Sequence, residues 1–530
     1  MNRTLLALLA LFLMALDLAP VQDASALTKA RADRTYAPLL GTATATEVSI
    51  PSGLGWPSST FPLNIRLQAP NLNRPASGSL AAGSYNPLAH ADYLSAMSGP
   101  AYYTNSAGSD SNGCTSGAKC FSIWKSVQQC NAAGVPCRVI VDAGTYHRSQ
   151  NFSAGTASNV PTVPIVFIAV GGRAVVGTHD TGLSGWAADA TYPNTDVHTG
   201  TLSNTPVRVV NLAARDRYGL FPDFVKAQTL VRCNATPGSW FYDSGTSKLY
   251  VNRGDGQTVS NSNTRIYRQQ PNFVFTGATQ KSFWLIGNEA GSGFDLEGGF
   301  TTGATGAALT YTSSAANVSG NTVIYAKNAS FRYAGSYLGS QHGNGVQVNN
   351  YDGIAWFEGC DASGNSADGF NFKQRVNGAT PEEHAASPPN YSLTLNCTGY
   401  GNGLPGSTSN NGHTGHNTSI GIDIAGDYRG NAGGTCHWIE YSKVLYVGTT
   451  AADSRGDKIY GGTFDPVGFR TSGNTSTTGA QMWCFATWAR PTHPTGLAYQ
   501  ATDGSAIRTR SIQPFAGLTQ ASGTATIASY

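Results

Sequence analysis

Charge is scarce in this chain. Asp, Glu, Lys and Arg make up 12% of its 530 residues, about half the roughly 25% of an average soluble protein. The 33 basic and 30 acidic residues leave a net charge of +3. That is too weak for the basic footprint nucleic acid requires, so no nucleic-acid partner is expected. Beyond the first residues no apolar run is long enough to cross a bilayer, so no membrane partner is expected either. None of the nine cysteines forms a C-x-x-C pair, which argues against a structural zinc site. What is abundant is Gly (63 residues), with Asn, Ser and Thr. With 40% hydrophobic and 10% aromatic residues the chain is not disordered. The composition is that of a β-rich, turn-rich protein.

The N-terminus carries Arg3, an apolar stretch from Leu5 to Leu16, and a small-residue cleavage site at Ala24-Ser25-Ala26. This is the pattern of a secretory signal over residues 1–26, so a secreted or periplasmic location is expected. Four cysteines cluster early: Cys114, Cys120, Cys130 and Cys137. In an oxidising compartment they predict two local disulfides, with the pairing left open by the spacing. Cys360 and Cys397 fall at inward strand positions and read as buried thiols.

Short β-type runs recur through the second half: NTVIYAKN, NGVQVNN, DGFNFKQ, YSLTLNC, SIGIDIAG, SKVLYVG and PVGFRTS. Taking one inward residue from each gives Val323, Val346, Phe370, Leu393, Ile420, Val444 and Phe469. The steps between them are nearly regular, at about two dozen positions each, and a cadence of that size signals a solenoid. Gly, Asn and Asp clusters exclude a helical repeat, and a propeller blade needs about 40 residues. One coil of a parallel β-helix, with short strands and turns, fits the count. Each coil is stable only beside its neighbours.

The segment NSAGSDSNGCTSGAKCFSIWKSVQQCNAAGVPCRVIVDAGTY resembles the opening region of right-handed β-helix proteins of the pectate-lyase-like superfamily. There a Gly/Asp/Asn loop leads into a capping helix, here Phe121 to Ala133, with Ile123, Trp124 and Val127 facing the open end of the stack. GSWFYDSGTSKLYVNRGDG (238–256) resembles the β-hairpin inserted in many glycan-active β-helices. The fold expected is all-β: a right-handed parallel β-helix with an N-terminal capping helix and a β-hairpin insertion. The organisation expected is a signal peptide (1–26), an extended arm (27–95), the β-helix (96–510) with an excursion at about 183–262, and a C-terminal tail or cap (511–530).

Charge accumulates on three adjacent coils. With the register above, Asn349, Lys373, Asn396, Asp423 and Val447 form one outward row. Lys373 and Asp423 then stand two coils, roughly 10 Å, apart on one face. Asp361 and Asp368 precede the Phe370 strand, and Arg375 follows it. The loop SNNGHTGHN carries His413 and His416, and Arg429 follows the Ile420 strand. Lys373, Arg375, Asp368, Asp423, His413 and His416 are the catalytic candidates. Arg429, Asn371, Tyr400 and Trp438 are the substrate-binding candidates, and Trp483 and Trp488 offer further aromatic faces. The stretch Ser366–Lys373, S-A-D-G-F-N-F-K, resembles the A-D-G-F-x-x-K segment of family 9 pectate lyases. That resemblance implies calcium on Asp368, with Asp361 the second acid to hand. The family's next acidic run has no counterpart, because Tyr391–Leu395 stands in its place.

These residues point to a secreted enzyme, acting as a monomer, that depolymerises a polysaccharide. The first expectation is a lyase on a uronate-containing glycan, with Lys373 the base taking the proton beside the carboxylate. The alternative is a glycoside hydrolase with Asp368 and Asp423 as its carboxylate pair. The third is a non-catalytic, glycan-binding or adhesive β-helix.

Overall fold

The computed structural model describes residues 46–529, apart from 69–76, 151–159, 181–184, 201, 203, 278–280, 301–305, 314–320, 338–342, 375–388, 404–409, 456–466, 473–478, 491–496, 511–512, 515–517 and 523. The architecture is an all-β parallel β-helix. Three parallel sheets of fourteen, nine and five strands run along its length.

The coil from Ile420 shows how the sequence turns. Ile420–Ile424 lies in the fourteen-stranded sheet, Asp427–Arg429 in the five-stranded sheet and Gly434–Ile439 in the nine-stranded sheet. The chain then returns to the first sheet, where Lys443 lies against Ile420. The corner after the first strand is made by one left-handed residue, Ala425 (φ 55°). Its N–H reaches the carbonyl of Val447 on the next coil at 2.8 Å. Asn328, Gly359, Asn396, Gly448 and Ala486 repeat that conformation and that bond on the other coils. Asn and Gly dominate because they adopt positive φ at least cost. The second corner uses Gly364, Gly401 and Gly430, each followed by an asparagine.

Those asparagines, Asn365, Asn402 and Asn431, stack into a buried ladder. Asn402 Oδ1 accepts the backbone and side-chain N–H groups of Asn365, both at 3.0 Å. Its own amide donates to Ala362 O and Asn431 Oδ1, again at 3.0 Å. The ladder satisfies backbone groups where the strands break.

Inside the coils runs a continuous core, from Val139 through Phe167, Phe283, Phe357 and Phe370 to Phe469 and Tyr499. Helix Ile123–Ala133 closes its first end with Ile123 and Val127 buried and Trp124 packed at the edge. The disulfides Cys114–Cys120 and Cys130–Cys137 bracket that helix. Cys360 and Cys397 are buried free thiols directed at backbone carbonyls of adjacent coils. The inserted hairpin pairs Ser239–Asp243 with Lys248–Asn252, Trp240 against Val251 and Tyr242 against Leu249. Its mixed five-stranded sheet buries a small core of its own around Trp240 and Leu249.

A second apolar layer lies outside the fourteen-stranded sheet. Trp284, Tyr325, Trp356, Leu393, Ile422, Leu445 and Trp483 point outward, and Leu54, Trp56, Phe61 and Ile65 of the N-terminal segment cover them. That sheet is thus buried on both faces, which is why its strands read as nearly continuous apolar runs.

The expected register is corrected here. Val346, Phe370 and Phe469 belong to the nine-stranded sheet, whereas Val323, Leu393, Ile420 and Val444 belong to the fourteen-stranded one. The regular steps of the sequence mix strands of two sheets and follow neither. Within one sheet the steps are uneven. Val346 pairs with Phe370, but Phe370 pairs with His413, almost twice as far along the chain. Loops of different length leave the stack at its corners and hide the true period.

Replacing Asn402 by Ala strands buried donors in the ladder, at a cost of about 2–4 kcal/mol. The urea midpoint of Asn402→Ala is expected below that of the native chain. An unchanged midpoint contradicts the role given to the ladder.

Candidate active site

Strand alternation sorts the candidates. On the nine-stranded sheet Val346, Phe370, His413, Cys436 and Phe469 stack in one row, and all five face the interior. Their neighbours Gln347, Asn371, Thr414, His437 and Arg470 therefore form a row on the outer face, one per coil at about 4.8 Å. All five are polar, and none is more than 8% exposed. Two positions further along, Asn349, Lys373 and His416 make a second outward row. Lys373 is exposed and His416 half-buried.

Asp368 sits in the turn before the strand Phe370–Lys373. Its Oδ1 accepts Asn411 N at 2.8 Å and Asn411 Nδ2 at 3.1 Å. Its Oδ2 accepts Asn371 Nδ2 at 2.7 Å. Three N–H donors thus converge on a buried carboxyl. The same Asn371 nitrogen lies 3.5 Å from His416 Nε2, so one amide bridges the carboxylate and the imidazole. An amide N–H can only donate, so Nε2 is the acceptor and the neutral ring carries its proton on Nδ1.

Burial, helped by the Lys373 ammonium, lowers His416 to about 4. Burial, then Arg470 and His416, holds His437 well below its ordinary value. Both rings are neutral at pH 7. Asp368, Asn371, His416 and Lys373 are thus the predicted residues that the structure brings together. The outward residues His437, Arg470, Gln347 and Thr414 escaped the sequence reading. The signal was present in GTCHWI (434–439), where Cys436 and Trp438 inward force His437 outward.

The remaining candidates lie elsewhere. Asp423 faces the interior and is fully buried, so it shares no face with Lys373 and cannot pair with Asp368. Trp438 and His413 are also interior. These three belong to one buried chain of hydrogen bonds. Trp438 Nε1 donates to Tyr446 OH (2.9 Å), which lies 2.8 Å from His413 Nδ1. His413 Nε2 is 3.3 Å from Thr394 Oγ1, which donates to Asp423 Oδ1 at 2.6 Å. Asp423 also accepts from Tyr428 OH, Thr449 Oγ1 and Gly426 N. Thr394 spends its proton on Asp423, so His413 donates from Nε2 and accepts at Nδ1. Burial lowers His413 to about 3, which keeps it neutral. This is a structural network.

Arg429 and Tyr400 sit on the five-stranded sheet, a different side of the helix. Arg429 Nε donates to Asp427 (2.6 Å), Tyr400 OH to the same carboxylate (3.0 Å), and Tyr218 stacks on Tyr400. Asp361 lies on that side too, accepting from Arg332, Ser363 and Thr398. Arg375 lies outside the described residues. The residues at hand do not fit the calcium site that the resemblance implies. Asp361 and Asp368 are on different sides, their oxygens face protein donors, and no cluster of three potential ligands occurs among the described residues. A calcium ion needs six to eight oxygens.

No protein-family profile matches the chain, and no curated protein does. Several solved structures align with it distantly. One is XylC with xylose, at 10% identity and TM-score 0.38, over 78% of this chain and 67% of that one. A structure titled glycoside hydrolase aligns at 10% identity and TM-score 0.34, over 81% and 96%. The GH136 lacto-N-biosidase from Eubacterium ramulus aligns at 12% and 0.38, over 82% and 68%. Likeness this distant carries no conclusion about activity.

Asp423 gives a test of the interior network. Burial raises its carboxyl from 3.8 to about 6, against the pull of its four donors. A folded value above the unfolded one means stabilisation that is complete below the unfolded value and lost as pH rises through the folded one. The size is on the order of 3 kcal/mol. Between about pH 4 and 6 the melting temperature of the native chain should therefore fall relative to Asp423→Asn. Parallel curves contradict the assignment.

Proposed function

We propose that the chain is a secreted carbohydrate-active enzyme that cleaves a polysaccharide lying across the outer face of the nine-stranded sheet. The observation that carries this reading is the outward row Gln347, Asn371, Thr414, His437 and Arg470 beside Asp368, His416 and Lys373. Amide, hydroxyl, imidazole and guanidinium groups repeated at every coil suit the hydroxyls and oxygens of an extended sugar chain.

Hydrolysis is the chemistry we put first. A carboxylate buried on the outside of a sheet is costly to keep there, and elimination gives Asp368 no task. In hydrolysis the Asp368 carboxylate attacks the anomeric carbon while His416, when protonated, gives its proton to the departing glycosidic oxygen; the neutral ring then takes a proton from the water that releases the sugar from Asp368. The two groups are joined through one Asn371 nitrogen by contacts of 2.7 and 3.5 Å. Through that shared nitrogen the carboxylate oxygen and the ring nitrogen are at most about 6 Å apart, nearer the roughly 5–5.5 Å of retaining than the roughly 6.5–9.5 Å of inverting glycosidases. Asn371 orients the carboxylate, and orients the imidazole while the ring is neutral.

One observation favours a second reading, β-elimination on a uronate. Neutral His416 stands beside exposed Lys373. There the imidazole accepts the proton next to the sugar carboxylate and the ammonium offsets the charge that develops.

The two chemistries part in products and in pH. Incubation with acidic and neutral polysaccharides should release reducing ends without absorbance near 235 nm. The rate should rise as pH falls toward about 4, where His416 becomes protonated. Asp368→Asn should lower kcat by about 10²- to 10⁴-fold. Unsaturated product, with a rate that grows as pH rises through the same value, identifies elimination instead. Binding without either product identifies a non-catalytic glycan receptor.

A further inference from the structure

A recess lies on another side of the molecule, away from the nine-stranded sheet. It encloses about 600 Å³ between Glu47–Gly53 of the N-terminal segment and the outer face of Gln481–Phe485 and the next strand, Ala506–Arg510. That volume is within the usual range for ligand sites. Up to this coil the outward positions of the fourteen-stranded sheet are mostly apolar, ending at Trp483 and Phe485, with Lys327, Glu358 and Lys443 among the charged exceptions, the first two paired with each other and the third bonded to Gly53 O. On the next strand they become Arg508 and Arg510.

The guanidinium of Arg508 lies over the Trp483 ring at 5.1 Å, and that of Arg510 over Phe485 at 5.4 Å. Arg508 Nη1 reaches Gln481 Oε1 at 3.3 Å. Among the described residues neither arginine is within ion-pair distance of a carboxylate. Glu47, at the rim, is 83% exposed and faces Arg66 at 3.9 Å. In a chain this poor in charge, two arginines thus lie over aromatic rings, and among the described residues neither is paired with an acid. Alternate residues of one strand stand about 7 Å apart, so two carboxylates of one ligand can be held at once. Ser49, Ser52 and Gln481 add neutral hydrogen-bonding groups in the same recess.

We infer that this recess is a second glycan-binding site, taking a carboxylate-bearing polysaccharide and keeping the enzyme on its polymeric substrate. The inference rests on the glycan reading of the nine-stranded face but uses none of its residues. Guanidinium groups stacked on rings lose little freedom when they bind carboxylate. Ring packing alone would explain the stacking; it predicts no affinity for acidic polymer.

The test is native affinity electrophoresis in gels containing polygalacturonate, alginate or neutral dextran. The native chain should be retarded by at least one acidic polymer and not by dextran. The double variant Arg508→Gln/Arg510→Gln should lose that retardation by at least tenfold in apparent affinity, while still cleaving short oligosaccharides at the native rate. Asp368→Asn should be retarded like the native chain. If the double variant fails to fold, exposed Arg510→Gln alone should weaken retardation. No retardation by either acidic polymer, equal retardation by dextran, or unchanged retardation of the arginine variants overturns the inference. Retardation without cleavage of any polymer leaves this site standing and removes the catalytic reading alone.

Discussion

A strand in a parallel coil satisfies its backbone only by lying in register against the coil above and the coil below. Everything else in this molecule follows from that constraint. Register carries each residue over its counterpart, so a side chain's direction is decided for a whole column at once. The column through Phe370 is interior for its full length and admits His413 and Cys436 among aromatic neighbours. The column beside it is polar on every coil from Gln347 to Arg470. The corners obey the same rule, with left-handed residues bonded coil to coil and the asparagine ladder behind them.

Polar groups consequently fall into two populations that sequence spacing does not separate. Asp423, His413 and Tyr446 are buried inside, where each donor meets an acceptor and the network orders the core. Such groups are costly unless fully satisfied, and these are. Asp368, Asn371, His416 and Lys373 are outside, and their linkage spans an acid, an amide, a neutral imidazole and a cation. The second set can meet a substrate; the first cannot.

Much of the fold was legible in the chain. The cadence marked a solenoid, Ile123 and Val127 marked the cap, the alternation around Trp240 and Leu249 marked the hairpin, and the four early cysteines formed local pairs. The register was not legible from apolar residues, because strands of two sheets look alike when one sheet is buried on both faces. The better marker was the dipeptide Gly-Asn at 364–365, 401–402 and 430–431, whose spacing follows the coils themselves. Read from those corners, Asp423 falls on the strand before the five-stranded sheet and Lys373 on the strand after it. Half of the candidate site was found because Asp368 and Lys373 flank one strand. Arg470 was missed because a whole coil of chain separates it from His437, its partner on the adjacent coil.

The central claim is that substrate lies on the outer face of the nine-stranded sheet. A crystal structure of Asp368→Asn with an oligosaccharide of whichever polymer the native chain cleaves tests it most directly. The account predicts a sugar ring within hydrogen-bond distance of Asn371 and His416, with the chain running across the coils toward His437 and Arg470. Sugar density confined to the side that carries Tyr400 and Arg429, with the face of Asn371 empty, would contradict it.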